Sequence, residues 1–185
     1  MNIRDATDAD AAAINAIYNA TVSTTTVAWT EEHESVGTRR EWMEGQRLVG
    51  HPVLVAATDD EVVGFASYDD FRDSSKWPGY RFTVEHTIHV RQDHQGAGVG
   101  GDLLRALIVR ATEAGKHVMI GAIDGQNTGS IRFHERQGFA VMGRLPETGF
   151  KFGRWLELVL MERILAPWPP VAADLSARGS TTRRM

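Results

Sequence analysis

The chain has 185 residues, 42% of them hydrophobic and 24% charged, with a formal net charge of −4, which predicts one soluble globular domain. The absence of cysteine excludes disulfides, thiolate metal sites and a cysteine nucleophile. The slightly acidic balance gives no broad basic face, so no nucleic-acid partner is expected. The sequence contains no apolar run of membrane-spanning length and no signal-peptide profile, so we expect a cytoplasmic protein without membrane contact.

The amino-terminal part predicts a short strand followed by two helices. Residues 1–4 fit the strand, and Thr7 is expected to cap a helix that continues to about Ala20. Thr30 precedes a group of glutamates, and acids stabilise the positive end of a helix dipole. The second helix is therefore predicted to begin at Thr30. The glutamates are Glu31, Glu32 and Glu34.

The middle part predicts a hairpin, a loop and a fourth strand. Apolar segments at 53–57 and 61–68 flank turn residues, which predicts two paired strands. Residues 69–79 are polar and turn-rich, so they predict a loop. The alternating segment 80–90 predicts the fourth strand, on which Glu85 shares one face with the other odd-numbered residues.

The remaining elements are predicted to be a helix with an apolar stripe, a strand, a short helix ended by Gly138, and two antiparallel strands. The tail from Ala166 is rich in proline and then in serine, threonine and arginine, so it is expected to lie outside the core. The stripe comprises Leu103, Leu104, Leu107, Ile108 and Ala111, and the later elements lie at 117–123, 127–137, 139–144 and 151–161.

A glycine-rich segment between the fourth strand and the next helix is the most informative motif. Glycine lets the backbone turn tightly and come close to a ligand. The first amides of a helix are unpaired and carry its positive dipole end, so they attract phosphate oxygens. The segment is therefore predicted to bind a pyrophosphate-bearing cofactor. Its residues are Gln95, Gly96, Ala97, Gly98, Val99, Gly100 and Gly101.

Two phosphate-binding motifs overlap in this segment. A G-x-G-x-x-G motif from Gly96 satisfies the dinucleotide fingerprint, and Asp124 would serve as its ribose acid. The polar residues 91–94 separate these glycines from the strand, and the rest of the chain is too short for a doubly wound domain. The other motif, Q-x-x-G-x-G from Gln95, resembles the acetyl-CoA loop of the GNAT acetyltransferases. An ordinary glycine-rich turn before a helix is the remaining alternative.

The order of predicted elements resembles the GNAT layout over residues 3–165. This resemblance implies a single α/β domain, of mixed α+β character, at 1–165, with a tail at 166–185. Its central mixed, mostly antiparallel β-sheet is expected to have helices on both faces. Three segments together resemble the phosphinothricin and methionine sulfoximine or sulfone N-acetyltransferase branch. They are TVEHT at 83–87, IRFHE at 131–135 and GFKFGRW at 149–155.

Two residues are candidates for catalysis. The resemblance places the catalytic glutamate of that branch at Glu85, and acetyl transfer to an ammonium needs a base to remove a proton. A structural ion pair is the alternative for Glu85. His134 occupies the position of a histidine in that branch, where many GNAT enzymes have a tyrosine. It is expected to assist the base or to protonate the departing thiolate, or else only to cap or pack a helix.

The resemblance implies that acetyl-CoA lies along the fourth strand. Backbone groups of Ile88 and Val90 are expected to pair with its pantetheine amides, with His89 in the same cofactor-binding stretch. Asn127 and Ser130 are expected to bind the pantetheine arm, although Asn127 is equally compatible with a simple helix cap. No metal is expected as a cofactor.

The acceptor is expected to meet basic and aromatic residues near the fourth strand, because a guanidinium fork suits a carboxylate or phosphinate group. Trp29 and the segment 150–155 are expected to wall the pocket, with core or dimer packing favoured for Trp155. Solvated loop charges are the alternative for the arginines. A metal site at the histidines is disfavoured because alternation separates His86 from His89. The acceptor-binding candidates are Arg72, Lys76, Trp77, Tyr80, Arg81, Glu85, His86 and Thr87.

These features predict an enzyme that transfers an acetyl group from acetyl-CoA to the α-amino group of a small amino acid analogue. If it follows the resembled branch, methionine sulfoximine, methionine sulfone or phosphinothricin would be the acceptor and the enzyme a homodimer. Three alternatives remain. One is an acetyltransferase of a protein N-terminus or another small amine, one is a non-catalytic acetyl-CoA-binding module, and one is a nicotinamide-dependent enzyme.

Overall fold

The computed structural model describes residues 1–58 and 61–165, which form one seven-stranded sheet with four α-helices. The predicted tail from Ala166, and the turn residues Asp59 and Asp60, lie outside the described residues. The elements are β1 (Asn2–Asp5), α1 (Ala11–Thr24), α2 (Val36–Leu48), β2 (Val53–Thr58), β3 (Glu61–Asp70), β4 (Thr83–Val90), α3 (Val99–Glu113), β5 (Val118–Asp124), α4 (Thr128–Arg136), β6 (Ala140–Lys151) and β7 (Arg154–Ile164).

The strand order is β1-β2-β3-β4-β5-β7-β6, and every neighbouring pair is antiparallel except β4 with β5. Parallel neighbours need a crossover connection, and α3 supplies it between β4 and β5. The predicted α/β fold with a mixed, mostly antiparallel sheet is confirmed. None of the helices within residues 1–58 and 61–165 has the length and apolar character needed to cross a bilayer.

The parallel ladder at the centre of the sheet is short. Its described pairs run from Thr83 with Val118 to Glu85 with Ile120. Both strands continue beyond that point, and each keeps its outer neighbour, since β3 pairs with β4 as far as Val90 and β7 pairs with all of β5. The strands therefore separate on their inner sides after Glu85. Unpaired backbone amides and carbonyls line that separation, and such groups need partners.

Each face of the sheet has its own core. On one face, α3 packs its leucines against Ala66, Val84 and Met119, in a cluster that also holds Ile131 of α4. On the other face, α1 and α2 pack against β2 and β3 around Phe65. Burial of a large apolar side chain contributes about 1.5–3 kcal/mol to stability, so the packing of the helices on both faces of the sheet is strongly favoured. We call the α1 and α2 side the acceptor face, because the predicted acceptor-binding residues Glu85 and Thr87 lie on that side of β4.

The predicted start of the second helix at Thr30 is wrong. The cap is Ser35, whose hydroxyl oxygen accepts a hydrogen bond from the Thr38 amide at 3.0 Å. The side chain of Asn19 binds both the amide and the carbonyl of Glu34, at 3.0 and 2.8 Å, and so holds the preceding segment outside the helix. A tertiary contact therefore selects one of two suitable cap residues.

The predicted bounds of the last two strands are also wrong. Lys151 ends β6 rather than beginning β7, and the chain reverses at Phe152 and Gly153, which both have positive φ. The segment between Leu145 and Gly149, which separated the predicted strands, is accommodated by a register shift. The fourth strand begins at Thr83 because Pro78–Tyr80 forms a 3-10 turn.

Candidate active site

The glycine-rich segment turns the chain from β4 into α3. Gly98 has φ of 87° and occupies the N-cap of α3, and Gly96 has φ of 79°. Both values lie in the left-handed region that favours glycine. The Gln95 side chain donates from Nε2 to the Val90 carbonyl at 3.1 Å and ties the turn to the strand end. The first amides of α3 are thus directed toward the adjoining groove.

A groove of about 630 Å³ lies beside this turn and leads into the separation between β4 and β5. Ile88, Asn127 and Ser130 line both the groove and a further pocket of about 70 Å³ between the strands, which we call the opening. The two spaces therefore form one path from the start of α3 to the centre of the sheet. Its polar end has helix amides and its inner end has unpaired strand backbone, which suits a long ligand with a phosphate at one end.

Most of the predicted cofactor residues meet at this path. Gln95, Gly96, Gly98, Gly100, Gly101 and Val90 line the groove, and Ala97 and Val99 belong to the same turn. Asn127 lines the groove, and its Oδ1 caps α4 by accepting from the Ser130 amide at 3.0 Å, so the cap is confirmed and the contact with the pantetheine arm stays a prediction. The basic side chain of Arg136 also lines the groove, although Arg136 was not among the predicted cofactor residues.

His89 is not brought to the groove. Its ring is buried on the acceptor face, stacked on Phe65 with ring centroids 4.9 Å apart and set edge-on to Tyr18. Strand alternation requires this, because His89 shares the parity of Glu85.

Glu85 lies at the last pair of the parallel ladder, half-buried on the acceptor face. Burial raises the pKa of its carboxyl group, and the negative charge of Asp69 raises it further. Asp69 is its cross-strand partner on β3. A carboxylate with a raised pKa binds a proton more readily than an exposed glutamate, which is the property that a general base needs.

His134 and His86 form a buried pair on the opposite face. Their rings stack with centroids 5.1 Å apart, and Gly121 leaves room for them, since a Cβ there would lie 3.2 Å from His86 Nε2. His134 Nδ1 donates to the Ser130 carbonyl at 2.7 Å, so its Nε2 carries the lone pair. Burial lowers the pKa of His134, and it lowers the pKa of His86 to about 3. Both rings are therefore neutral at neutral pH.

The predicted acceptor residues of the β3–β4 loop lie at the Glu85 end of β4, away from the glycine turn. They line neither the groove nor the opening. Arg81 donates to the Pro78 carbonyl at 2.8 Å, with its guanidinium 4.2 Å from the ring centroid of Phe82. Arg72 is exposed beside Phe71. The others, Lys76, Trp77 and Tyr80, are exposed as well.

A segment after α1 covers the opening from the acceptor face. Thr26 donates from its hydroxyl to the buried carboxylate of Asp124, which lines the opening. Trp29 donates from Nε1 to the Thr26 carbonyl at 2.9 Å. A Cβ at Gly149 would overlap the ring of Trp29, so this ring lies directly on the β6 backbone. Trp29 thus meets the β6–β7 hairpin at Gly149, and its place in the acceptor pocket wall stays a prediction.

Lys151 fastens the same segment. Its side chain is fully buried, and Nζ donates to the carbonyls of Val22, Thr25 and Ala28, each at 2.7 Å. Lys151 had no specific predicted role, and Asp124 was predicted only as the acid of the dinucleotide motif. A lysine between aromatic residues in an apolar hairpin was the available signal for a buried, paired charge.

The family follows from a match to a known family model. Residues 14–139 match the model of the acetyltransferase (GNAT) family. The chain belongs to the GNAT acetyltransferase family. The predicted family resemblance is therefore confirmed, and the nicotinamide-dependent alternative is wrong. Within the part of the chain that the structure describes, no group of three or more histidine, aspartate or glutamate side chains is arranged to hold a metal ion.

This GNAT acetyltransferase resembles named relatives along most of its length. It is 44% identical over 162 residues to the L-methionine sulfoximine/L-methionine sulfone acetyltransferase of Salmonella typhimurium strain LT2, covering 88% of this chain and 93% of that protein. It is 37% identical to the phosphinothricin N-acetyltransferase of Alcaligenes faecalis, covering 88% and 82%. Its fold matches yncA of Salmonella typhimurium, solved with its cofactor acetyl-CoA, with a TM-score of 0.88 and 43% identity, covering 94% and 98%.

Proposed function

We propose that this protein transfers the acetyl group of acetyl-CoA to the α-amino group of a small amino acid analogue of the methionine sulfoximine, methionine sulfone or phosphinothricin type. One observation carries the proposal. A path formed by two adjoining spaces, both lined by Ile88, Asn127 and Ser130, runs from the start of α3 to the opening, whose wall includes Thr87, two residues along β4 from Glu85. The names of the relatives supply the acceptor class.

The residues along the path fit acetyl-CoA, which would supply an activated acyl group as a thioester. The amides of 95–101 would hold its pyrophosphate, and the free backbone of β4 after Glu85 would pair with its pantetheine amides as a neighbouring strand does. Arg136 would add a positive charge at the groove wall. The pyrophosphate and the pantetheine amides of the cofactor thus each have partners of suitable character.

Glu85 would act as the base. It takes one proton from the acceptor's ammonium, directly or through water, and leaves a neutral nitrogen with a free lone pair. The new N–C bond then forms at the thioester carbonyl as the C–S bond breaks, and the second nitrogen proton passes to the thiolate sulfur. The proton on Glu85 returns to solvent. Backbone donors of β4 would polarise the carbonyl oxygen.

His134 would assist as a hydrogen-bond acceptor rather than as an acid. Its only proton is committed to the Ser130 carbonyl, and burial lowers the pKa that a second proton would require. This argues against protonation of the sulfur by His134. Since His134 lies on the face opposite Glu85, it would accept a hydrogen bond from a group in the opening that it lines, not from Glu85.

The acidic group of the acceptor would be held by Arg72 and Arg81, which lie at the Glu85 end of β4. A homodimer would complete the pocket walls, because the β6–β7 hairpin exposes several large apolar side chains, which is typical of a protein interface. These include Phe150 and Trp155, which are 56% and 59% exposed. Acetylation of a protein N-terminus or another small amine is the second candidate, and the segment that covers the opening through Thr26 and Val27 argues for a small acceptor.

A thiol-release assay tests the function. The protein is given acetyl-CoA with methionine sulfoximine, methionine sulfone, phosphinothricin, methionine or a short peptide. We expect release of coenzyme A with one or more of the three analogues, and abolition of turnover in Glu85→Gln while calorimetry still detects acetyl-CoA binding. Release with the peptide alone would favour the second candidate. Binding without turnover for any amine would leave a non-catalytic acetyl-CoA-binding module.

A further inference from the structure

Thr87 and His89 form a hydrogen-bonded pair on the same face of β4 as Glu85. Thr87 Oγ1 and His89 Nε2 lie 3.1 Å apart. Thr87 also lines the opening between β4 and β5, whereas the ring of His89 is buried behind it. The pair therefore connects the reaction centre to the core of the acceptor face.

Thr87 and His89 belong to a series of hydrogen bonds that ends at the Tyr18 carbonyl, and that carbonyl fixes the direction of each bond. The Thr21 hydroxyl donates its single proton to the Tyr18 carbonyl at 2.6 Å, since a carbonyl only accepts. Thr21 Oγ1 must then accept from His89 Nδ1, which lies 3.3 Å away. His89 thus carries its proton on Nδ1 and a lone pair on Nε2. The Thr87 hydroxyl must donate to that lone pair.

The surroundings of His89 keep this arrangement in place. Its ring lies between Phe65 and Tyr18, with centroid distances of 4.9 and 5.5 Å. Burial, and then the charge of Arg39, lower the pKa of His89 to about 4, so the ring stays neutral with one proton. With its own proton committed, Thr87 presents only oxygen lone pairs to the opening.

We propose that Thr87 accepts a hydrogen bond from the reacting amino group, and that His89 is a positioning residue that fixes the polarity of Thr87. This rests on the proposed function. After Glu85 has taken one proton from the ammonium, Thr87 holds one of the two remaining N–H groups, so the nitrogen lone pair is oriented toward the thioester carbonyl and the other N–H is left to supply the sulfur. Ile88 and Val90 pack on the opposite side with the α3 cluster, so the Thr87 side chain faces the acceptor rather than the cofactor arm.

Substitution of Thr87 gives the first test. Thr87→Val keeps the shape and removes the hydroxyl, so kcat/KM for the amine should fall about threefold to tenfold, the effect of one neutral hydrogen bond, while the KM for acetyl-CoA stays unchanged. Thr87→Ser keeps the hydroxyl and should recover most of the loss. Equal activity of Thr87→Val and wild type would overturn the proposal, as would a loss confined to acetyl-CoA binding or a serine variant as poor as valine.

A matched pair at His89 tests the positioning role. The Gln side chain reaches the place of Nε2 and can accept from Thr87, whereas Asn reaches only the place of Nδ1. We therefore expect His89→Gln to retain more amine kcat/KM than His89→Asn, with circular dichroism as the check on folding. The reverse order, or equal losses in two folded variants, would contradict the role of His89.

The tautomer of His89 provides a measurement that is independent of activity. Nitrogen-15 NMR of the histidine rings, assigned with His89→Gln, should show His89 protonated on Nδ1 alone at neutral pH. A proton on Nε2 would overturn the proposal even in an active enzyme. An inactive wild-type protein with the Nδ1 tautomer would instead refute the proposed function, because the hydrogen-bond chain would be present without an acceptor to orient.

Discussion

Replacement of Lys151 by methionine tests how the acceptor face is held together. The three carbonyls bound by Nζ belong to α1 and the segment after it, where unpaired carbonyls and the negative dipole end favour a cation. A hydrogen bond to a charged group contributes about 1.5–3 kcal/mol. Methionine has a similar length and shape, so it would remove these bonds and leave the carbonyls buried.

The expected loss follows from two opposing contributions. Three bonds of that kind amount to roughly 4.5–9 kcal/mol, and removal of the ammonium from water costs several kcal/mol. Burial lowers the pKa of Lys151 for the same reason, although Glu31 opposes that effect. We therefore expect Lys151→Met to lower the free energy of unfolding by roughly 3 kcal/mol.

Urea unfolding measures this loss as a lower midpoint with an unchanged slope. The control is Lys76→Met, because Lys76 is exposed and its change should stay within about 0.5 kcal/mol. If both variants unfold at the same urea concentration as wild type, Lys151 does not fasten the segment over the opening, and the reasoning fails.

Three further predictions concern the site. Glu85 must be ionised to act as a base, so kcat/KM should fall as the pH drops through its pKa, and Asp69→Asn should move this acid limb to lower pH; an unmoved limb would deny Asp69 a part in raising that pKa. Because the pKa of Glu85 is raised, the folded state favours its protonated form, and this contribution to stability is lost as the pH rises through the folded pKa. Glu85→Gln should therefore raise the urea midpoint near neutral pH but not in acid. Equal shifts of the urea midpoint at the two pH values would contradict this reasoning. Gly98→Ala should lower the free energy of unfolding by about 1–2 kcal/mol, because Gly98 has a positive φ, and it should raise the KM for acetyl-CoA. The control is Gly45→Ala, inside α2 with open space around it, which should raise the free energy of unfolding by about 0.5–1 kcal/mol. A stabilising Gly98→Ala together with a destabilising Gly45→Ala would exclude backbone strain as the cause.

Features set by near neighbours in the chain were predictable. The glycine turn follows from six consecutive positions and the adjoining helix, and alternation along β4 places Glu85 and Thr87 on one face. The same alternation carries His89 to that face, so its assignment to the cofactor ignored a rule that the sequence already supplied.

Features set by distant contacts were not predictable. Thr26 meets Asp124 across 98 residues, and Lys151 meets Val22 across 129. No periodic pattern encodes such pairs, because they depend on how two layers of the fold meet. The start of α2 failed for a similar reason, since Asn19 decides it from another helix.

The separation of β4 from β5 cannot close by a small movement. β3 pairs with the outer side of β4, and β7 pairs with the outer side of β5, along the length of each strand. Direct pairing of β4 with β5 would therefore break hydrogen bonds that are already formed. The middle of the sheet consequently keeps a row of backbone amides and carbonyls without strand partners. A ligand arm with amides at strand-like spacing would form the hydrogen bonds that these groups lack, so ligand binding and completion of the sheet would occur together.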